Sequence, residues 1–155
     1  MVLFNMKQET IEHLIKKFHL EYSISGILTI ISIYFWVTSL NYDFLKIIGV
    51  AINIAGLIIW WSGRLTLAKN WDTGFGRPKI KQLVTHGIYS KIGHPIYWGI
   101  NLTLIGLIML YPEFWFALIS LLIIAYFFYR MKEESRYLSE KLGEEYTNYE
   151  RKTWI

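Results

Sequence analysis

Residues 96–129, "IYWGINLTLIGLIMLYPEFWFALISLLIIAYFFY", decide the fold, because they hold two apolar runs separated only by Pro112 and Glu113. A helix rises about 1.5 Å per residue, and about 20 apolar residues cross a hydrocarbon core of ~30 Å. Each run is shorter than that. We therefore expect a tight helical hairpin in a thin bilayer, or helices that continue at the cytoplasmic end into the neighbouring residues.

Two further apolar segments precede the hairpin. Residues 22–40, "YSISGILTIISIYFWVTSL", form a clear span, and residues 47–61 are expected to continue as a helix into "SGRLTLA". Hydrophobic residues make up 54% of the chain and charged residues only 18%, whereas an ordinary soluble domain has roughly 25% charged residues. We predict an all-α polytopic membrane protein with about four transmembrane helices, in a single domain over residues 1–155.

The remaining segments complete this organisation. Ile11, Leu14, Ile15 and Phe18 recur at helical spacing and predict an N-terminal amphipathic helix that lies on the membrane surface. Along the chain we expect an interfacial helix over 1–21, the first two spans over 22–61, a cytoplasmic loop with a first motif over 62–96, the hairpin over 95–129 and a cytoplasmic helical tail with a second motif over 130–155.

Positive charge is unevenly distributed. Lysine and arginine lie before the first span, in the long loop and after the fourth span, whereas the hairpin turn has none. The positive-inside rule therefore places both termini and the long loop in the cytoplasm. The net charge of +4 is basic surface beside anionic membrane lipids, not a nucleic-acid-binding surface. The chain has no cysteine, so we predict no disulfide, no thiolate metal site and no thiolate nucleophile. We also assign no residue to a metal site. No pattern indicates an oligomeric state.

The stretch "HGIYSKIGHPIYWG", residues 86–99, is unusually polar for the entrance to a membrane span. Pro95 disfavours helical geometry at His94 and suits the first turn of the helix that follows. His94 thus precedes a helix start whose unpaired N–H groups and dipole favour an anion such as a carboxylate. Considered alone, His94 is equally well interpreted as a helix cap.

Glu133 and Glu134 follow the fourth span on the same side of the membrane. Adjacent helical positions diverge by about 100°, so at most one of the two can face a given pocket squarely. With the helix start at His94, these glutamates could hold a zwitterion. Its carboxylate would lie at the histidine and the helix start, and its ammonium or ribose hydroxyls would lie at the glutamates. An apolar or cationic group could be walled by nearby aromatic side chains: Tyr89, Tyr97, Trp98, Tyr146 and Tyr149.

Some of these residues have simpler interpretations. Trp98 and Tyr97 are also typical of the aromatic belt at a membrane interface. Asn53 and Asn101 lie inside predicted spans, where asparagine most often makes interhelical hydrogen bonds.

Two motifs carry a resemblance to a known family. "GIYSKIGHPIYWG" resembles the first signature of the isoprenylcysteine carboxyl methyltransferase and phospholipid methyltransferase superfamily of integral membrane enzymes. "EESRYLSEKLGEEYTNY", residues 133–149, resembles its second signature, in which paired glutamates precede a leucine, a glycine and two tyrosines. The likeness covers residues 64–149, and two motifs in the right order are more specific than either alone. Gly93 departs from the pattern, since the family usually has arginine there.

The resemblance implies methyl transfer from S-adenosylmethionine, bound on the cytoplasmic side by both motifs and by a tail that folds over them. It also implies a lipophilic substrate that enters from the bilayer. The matching cofactor-binding positions are Tyr89, His94, Pro95, Tyr97, Gly99, Glu133, Glu134, Tyr146 and Tyr149.

The chemistry asks mainly for alignment, because a sulfonium methyl group is already activated and needs an acceptor held in a dry site. We predict no obligatory catalytic base, with Arg130 and Arg64 positioning an anionic acceptor; contact with lipid phosphates explains both arginines equally well. The resemblance favours an isoprenylcysteine-like carboxylate as the acceptor, with a phospholipid amine or a small hydrophobic thiol or acid as alternatives. A nicotinamide-dependent reductase of related fold and a non-catalytic membrane scaffold are the other functions considered.

Overall fold

A computed structural model describes residues 26–39, 43–67 and 83–154. The interfacial helix expected over 1–21, the beginning of the first span and most of the long loop lie outside these residues. The chain divides into two compact units, residues 1–40 and residues 41–155. The single domain over 1–155 stays a prediction.

The first unit contributes one described helix, α1, Gly26–Thr38, which lies within the predicted first span. Its polar side chains bond to their own helix. The Ser32 hydroxyl donates to the Leu28 carbonyl at 2.9 Å, and the Thr38 hydroxyl donates to the Tyr34 carbonyl at 2.7 Å. The segment therefore stays helical in an apolar setting without leaving these two hydroxyls unsatisfied.

The second unit is also helical. Its α-helices are α2, Phe44–Leu67, α3, Pro95–Leu110, α4, Phe114–Leu142, and α5, Glu144–Glu150, with a short 3-10 helix at Gly87–Ser90 before α3. Within the described residues the non-helical pairing is a single isolated bridge between Ile92 and Trp154. The all-α prediction is confirmed for the described part of the chain.

Two of these helices, α2 and α4, are long and apolar enough to cross a membrane, whereas α1 and α3 are shorter apolar helices. The four-span arrangement therefore stays a prediction. The apolar part of α4 exposes large side chains, with Phe114 at 68% and Trp115 at 70% exposed. A lipid-facing helix needs such a surface, whereas a monomer in water rarely carries one of this extent.

A seam of small residues packs α2 against α3. Gly49, Gly56 and Gly63 are seven residues apart in α2, and a Cβ added at any of them would come within 3.1 Å of an atom in α3. The neighbours run in reverse order along α3: Met109 beside Gly49, Thr103 beside Gly56, and Ile96 beside Gly63. The two helices are therefore antiparallel and packed closely, as small residues allow in membrane helix pairs.

A buried asparagine strengthens the same seam. The Asn53 side-chain amide donates to the Thr103 carbonyl at 2.9 Å, and Asn53 is fully buried. The interhelical role expected for Asn53 is confirmed. Asn101 is equally buried at 1% exposure, but its amide nitrogen and oxygen have no hydrogen-bond partner among the described residues.

The fourth predicted span does not end where its apolar run ends. Helix α4 continues through the charged residues to Leu142, a total of 29 residues, so the expected extension of this helix beyond its apolar run is confirmed, whereas its cytoplasmic side stays a prediction. Gly143 has φ of +56°, a conformation that glycine adopts without strain, and the chain reverses there into α5. The break predicted at Gly143 is confirmed.

Candidate functional site

The site lies where the start of α3 meets the charged extension of α4. His94 precedes α3 with φ of −130° and ψ of 62°, Pro95 occupies the first turn, and no side chain caps the helix. The first backbone bond of α3 is from the Trp98 N–H to the His94 carbonyl, at 3.1 Å. His94 therefore occupies the N-cap position as expected, through its backbone carbonyl and without a side-chain cap bond, and the dipole of this helix start points toward the site.

His94 instead hydrogen-bonds across to α4 and α5. Its Nε2 atom lies 2.8 Å from the Ser135 hydroxyl oxygen and 3.4 Å from the Tyr146 hydroxyl. Tyr146, which is 2% exposed, donates its hydroxyl hydrogen to Ser135 at 2.9 Å. Burial lowers the pKa of His94, and the nearby carboxylates of Glu134 and Glu150 oppose that change. The imidazole is therefore held preferentially in its neutral form.

The two adjacent glutamates have different surroundings. Glu134 lies within hydrogen-bonding reach of the Tyr97 hydroxyl and is close enough to influence Tyr89, His94, Tyr146 and Tyr149. The Glu133 carboxylate instead accepts a hydrogen bond from the Arg136 guanidinium at 2.9 Å, one turn along the surface of α4. Helical divergence predicted that only one glutamate could face the site, and Glu134 is that residue.

Tyrosine hydroxyls from three elements surround Glu134. Burial raises the pKa of Tyr89 and of Tyr149, and the Glu134 carboxylate raises both further. The pKa of Tyr146 is also raised by burial, against its hydrogen bond with Ser135. The Tyr149 hydroxyl reaches the Gly93 carbonyl at 3.4 Å. These phenols therefore stay protonated, and Tyr146 and Tyr149 donate their hydrogens to Ser135 and to the Gly93 carbonyl.

Aromatic contacts join α3 to α4 at the same level. The ring centroids of Tyr97 and Phe127 are 5.7 Å apart, and those of Trp98 and Phe128 are 5.6 Å apart. Offset and edge-to-face aromatic pairs of this kind add stability beyond the burial of their area. The relative position of His94 and Glu134 is therefore supported directly beneath the site.

Both predicted arginines lie at the edge of this tyrosine cluster. Arg64, near the end of α2, is 6% exposed and close enough to Tyr89 to influence it electrostatically. Arg130 of α4 is within hydrogen-bonding reach of the Tyr97 hydroxyl. One cation therefore lies beside the 3-10 helix and another beside the start of α3.

The tail is fixed over the first motif. The Trp154 N–H donates to the Lys91 carbonyl at 2.7 Å, within the bridge to Ile92. Tyr146 and Tyr149 are buried in α5, with their ring centroids 5.9 Å apart. Helix α5 and the residues after it therefore cover the start of α3, as the resemblance implied.

The structure brings most of the predicted site residues together. Those that meet are Tyr89, His94, Tyr97, Glu134, Tyr146 and Tyr149. Pro95 and Gly99 face α2, where their nearest neighbours are Gly63 and Trp60. Cofactor contacts at Pro95, Gly99 and Glu133 stay predictions.

Two contacts were not expected from the sequence. Ser135 links His94 to Tyr146 although it falls at no marked position of the second motif. Trp154 lies beyond that motif and pairs with the first. Neither residue belongs to a periodic sequence pattern that would single it out. The contact of Ser135 with Tyr146 and the pairing of Trp154 with the first motif depend on the chain reversal at Gly143.

In a comparison with protein-family models, the chain matches the model described as phospholipid methyltransferase over residues 44–145. The matched region runs from α2 to the first residues of α5 and contains both His94 and Glu134. No curated protein and no solved structure matches the chain.

Proposed function

The chain belongs to the phospholipid methyltransferase family, a family of membrane methyltransferases, and we propose that it transfers a methyl group from S-adenosylmethionine to a lipophilic acceptor that enters from the bilayer. The observation that carries this proposal is the meeting of the two motifs, in which Glu134 lies beside Tyr97 and His94 bonds to α4 and α5.

The groups of the site fit this cofactor. The methionine part of S-adenosylmethionine carries a carboxylate and an ammonium group. The start of α3 favours an anion, and the Glu134 carboxylate favours a cation. The protonated hydroxyl of Tyr89 supplies a further donor, and the rings of Tyr89 and Tyr149 supply apolar surface. His94, Glu134, Tyr89, Tyr97, Tyr146 and Tyr149 would hold the cofactor.

When bound, S-adenosylmethionine supplies a methyl group that is already activated by the adjacent sulfonium. The chain then has to align the acceptor and exclude water, which can lower a barrier by several kcal/mol. Closure of α5 and of the Lys91–Trp154 pairing over the first motif supports exclusion of water. The apolar surface of α4 supports entry of a lipophilic acceptor from the side.

Two acceptor classes have specific support. Arg64 and Arg130 at the edge of the tyrosine cluster favour an anionic acceptor such as an isoprenylcysteine-like carboxylate, which needs no general base. The description of the matched family favours a phospholipid amine instead. An ammonium must lose a proton before it accepts a methyl group, so this acceptor class requires a proton acceptor that a carboxylate does not.

The sidedness of the site is part of the same proposal. Lysine and arginine are concentrated before the first predicted span, in the long loop and after the fourth predicted span, which supports a cytoplasmic location for both termini and for the cofactor site. Cysteine-accessibility labelling is well suited to this chain, since it has no native cysteine. A cysteine introduced at exposed Glu140 should react only from the cytoplasmic side.

Calorimetric binding of S-adenosylmethionine to the full chain in detergent tests the cofactor assignment. Glu134→Gln should weaken binding by about tenfold or more, because a hydrogen bond to a charged group is worth about 1.5–3 kcal/mol. Glu133→Gln is the matched control, since that neighbouring carboxylate faces Arg136, and its affinity should stay within about threefold. Equal affinity in both variants and the unmodified chain would show that the site is misplaced.

The unmodified chain also separates the other functions. Stabilisation by a reduced nicotinamide and none by S-adenosylmethionine would favour the reductase, and binding of neither molecule would favour the scaffold. Transfer of a radiolabelled methyl group to extracted phospholipids, compared with transfer to a farnesylcysteine analogue, separates the two acceptor classes. Incorporation into neither would contradict both.

A further inference from the structure

We propose that Ser135 is a positioning residue that fixes His94 as the neutral tautomer with its proton on Nδ1. In this state Nε2 accepts a hydrogen bond from Ser135, and the Nδ1–H group is the donor that the ring offers to a ligand. The inference deepens the proposed function, on which it rests only for the effect on cofactor binding.

The direction of the hydrogen bonds carries the argument. Tyr146 donates its hydroxyl hydrogen to the Ser135 oxygen at 2.9 Å. The Ser135 hydroxyl then has its own hydrogen to donate, and His94 Nε2 lies 2.8 Å away. Tyr146 and His94 are the hydrogen-bond partners of the Ser135 hydroxyl within the described residues. Tyr146 has already used its hydrogen, so Nε2 is the acceptor for Ser135.

The opposite tautomer fits the same atoms poorly. With a proton on Nε2, the Ser135 oxygen would receive hydrogens from both Tyr146 and His94. The Ser135 hydrogen could then turn only to the Tyr146 oxygen, which would leave the Tyr146 hydrogen without an acceptor, so one of the two hydroxyl donors stays unmet among the described residues. An unmet hydroxyl donor that is partly shielded from water disfavours this tautomer. In the other tautomer, Tyr146 donates to Ser135 and Ser135 donates to His94 Nε2, so both hydroxyl hydrogens have an acceptor.

The surroundings of His94 favour a neutral ring without specifying its tautomer. Desolvation lowers the His94 pKa, and the carboxylates of Glu134 on α4 and Glu150 on α5 oppose it. The Tyr97 ring of α3 lies at 5.9 Å between centroids. Because none of these groups hydrogen-bonds Nε2 directly, Ser135 and Tyr146 decide which nitrogen carries the proton.

This arrangement has a consequence for the site. A ring fixed with Nδ1–H offers a neutral donor beside the start of α3, where backbone N–H groups already favour an anion. A ring free to exchange tautomers would offer that donor for only part of the time. Ser135 would thus strengthen cofactor binding without contacting the cofactor.

Nitrogen NMR of the full chain, labelled with ¹⁵N-histidine in detergent micelles, measures the tautomer without any ligand. The chain has four histidines, and the His94 signals are assigned by their loss in His94→Gln. The expected result is a protonated-type shift at Nδ1 and an unprotonated-type shift at Nε2. In Ser135→Ala the two shifts should move toward each other, and the midpoint of His94 protonation should move to higher pH.

Two controls separate the hydroxyl from the fold. Ser135→Thr keeps a hydroxyl and should keep the tautomer, whereas Ser139→Ala removes an exposed hydroxyl one turn farther along α4 and should change nothing. For S-adenosylmethionine affinity, Ser135→Ala should cost about threefold to tenfold and Ser135→Thr should restore most of it.

A proton on Nε2 in the unmodified chain, or an unchanged tautomer in Ser135→Ala, would overturn the role of Ser135 and leave methyl transfer intact. Absence of S-adenosylmethionine binding in the unmodified chain would overturn the proposed function, while the tautomer would still be measurable.

Discussion

Gly99 of α3 lies directly against Trp60 of α2, so closely that a Cβ on residue 99 would come within 2.5 Å of the Trp60 Cβ and 2.6 Å of its backbone nitrogen. The glycine that the first motif marks is therefore a packing position between two helices. Because Gly99 has no side chain, α3 packs closely against α2 at this point. This contact keeps the start of α3, and with it His94, at a fixed distance from α2.

Gly99→Ala should destabilise the protein by about 1–3 kcal/mol, because the atoms in the way belong to backbone and Cβ and cannot rotate aside. The measurement is the melting temperature in detergent. Gly26→Ala in α1 is the control, since a Cβ there meets nothing within 4 Å. A Gly99→Ala variant as stable as the control would contradict the close packing of α2 and α3.

The helices were predictable because each corresponds to a continuous run of apolar residues in the sequence. The apolar runs predicted α2 and α3 to within a few residues, and Gly143 marked the end of α4. The sequence does not show how far α4 continues toward Leu142, because the apolar pattern stops at the membrane surface while helical hydrogen bonding does not. The seam of Gly49, Gly56 and Gly63 was not foreseen, since its meaning depends on which helix lies opposite.

The site was predictable only in part. Helix geometry predicted that one glutamate of the pair would face the pocket, but the choice of Glu134 required the packing of α4 against α3. The contact between His94 and Ser135 spans 41 residues of sequence and arises from tertiary structure alone. Resemblance identified the marked motif positions, and it gave no indication of the unmarked residue that orients one of them.

The two buried asparagines should respond oppositely to substitution by leucine. Asn53→Leu removes the hydrogen bond to the Thr103 carbonyl and should cost about 0.5–1.5 kcal/mol. Asn101→Leu removes an amide that has no partner among the described residues, so it should be neutral or stabilising by about 1 kcal/mol. Melting temperatures of both variants give the comparison, and a strong loss of stability in Asn101→Leu would show that its amide is bonded.

The pairing of the tail with the first motif can be tested through one backbone N–H. Trp154→Pro removes the donor to the Lys91 carbonyl, whereas Trp154→Ala keeps it and changes a side chain that is 80% exposed. The proline variant should show faster hydrogen exchange in α5 and about threefold to tenfold weaker S-adenosylmethionine binding, through loss of one hydrogen bond. Equal exchange in the two variants would show that the pairing does not hold the tail.

The stability of the protein should depend on pH through His94. Its folded pKa is lowered, chiefly by burial, from the ordinary value of 6.5, so below about pH 6.5 the unfolded chain binds a proton that the folded chain resists. The contribution of His94 to stability is therefore complete above that pH and is lost as the pH falls toward the lowered folded value. In detergent, the melting temperature of the unmodified chain should fall more steeply between about pH 7 and about pH 5 than that of His94→Gln. This pH interval brackets the ordinary pKa of histidine. His86→Gln removes an exposed imidazole and should retain the steep profile. Parallel profiles for all three proteins would mean that His94 is not held neutral by the fold.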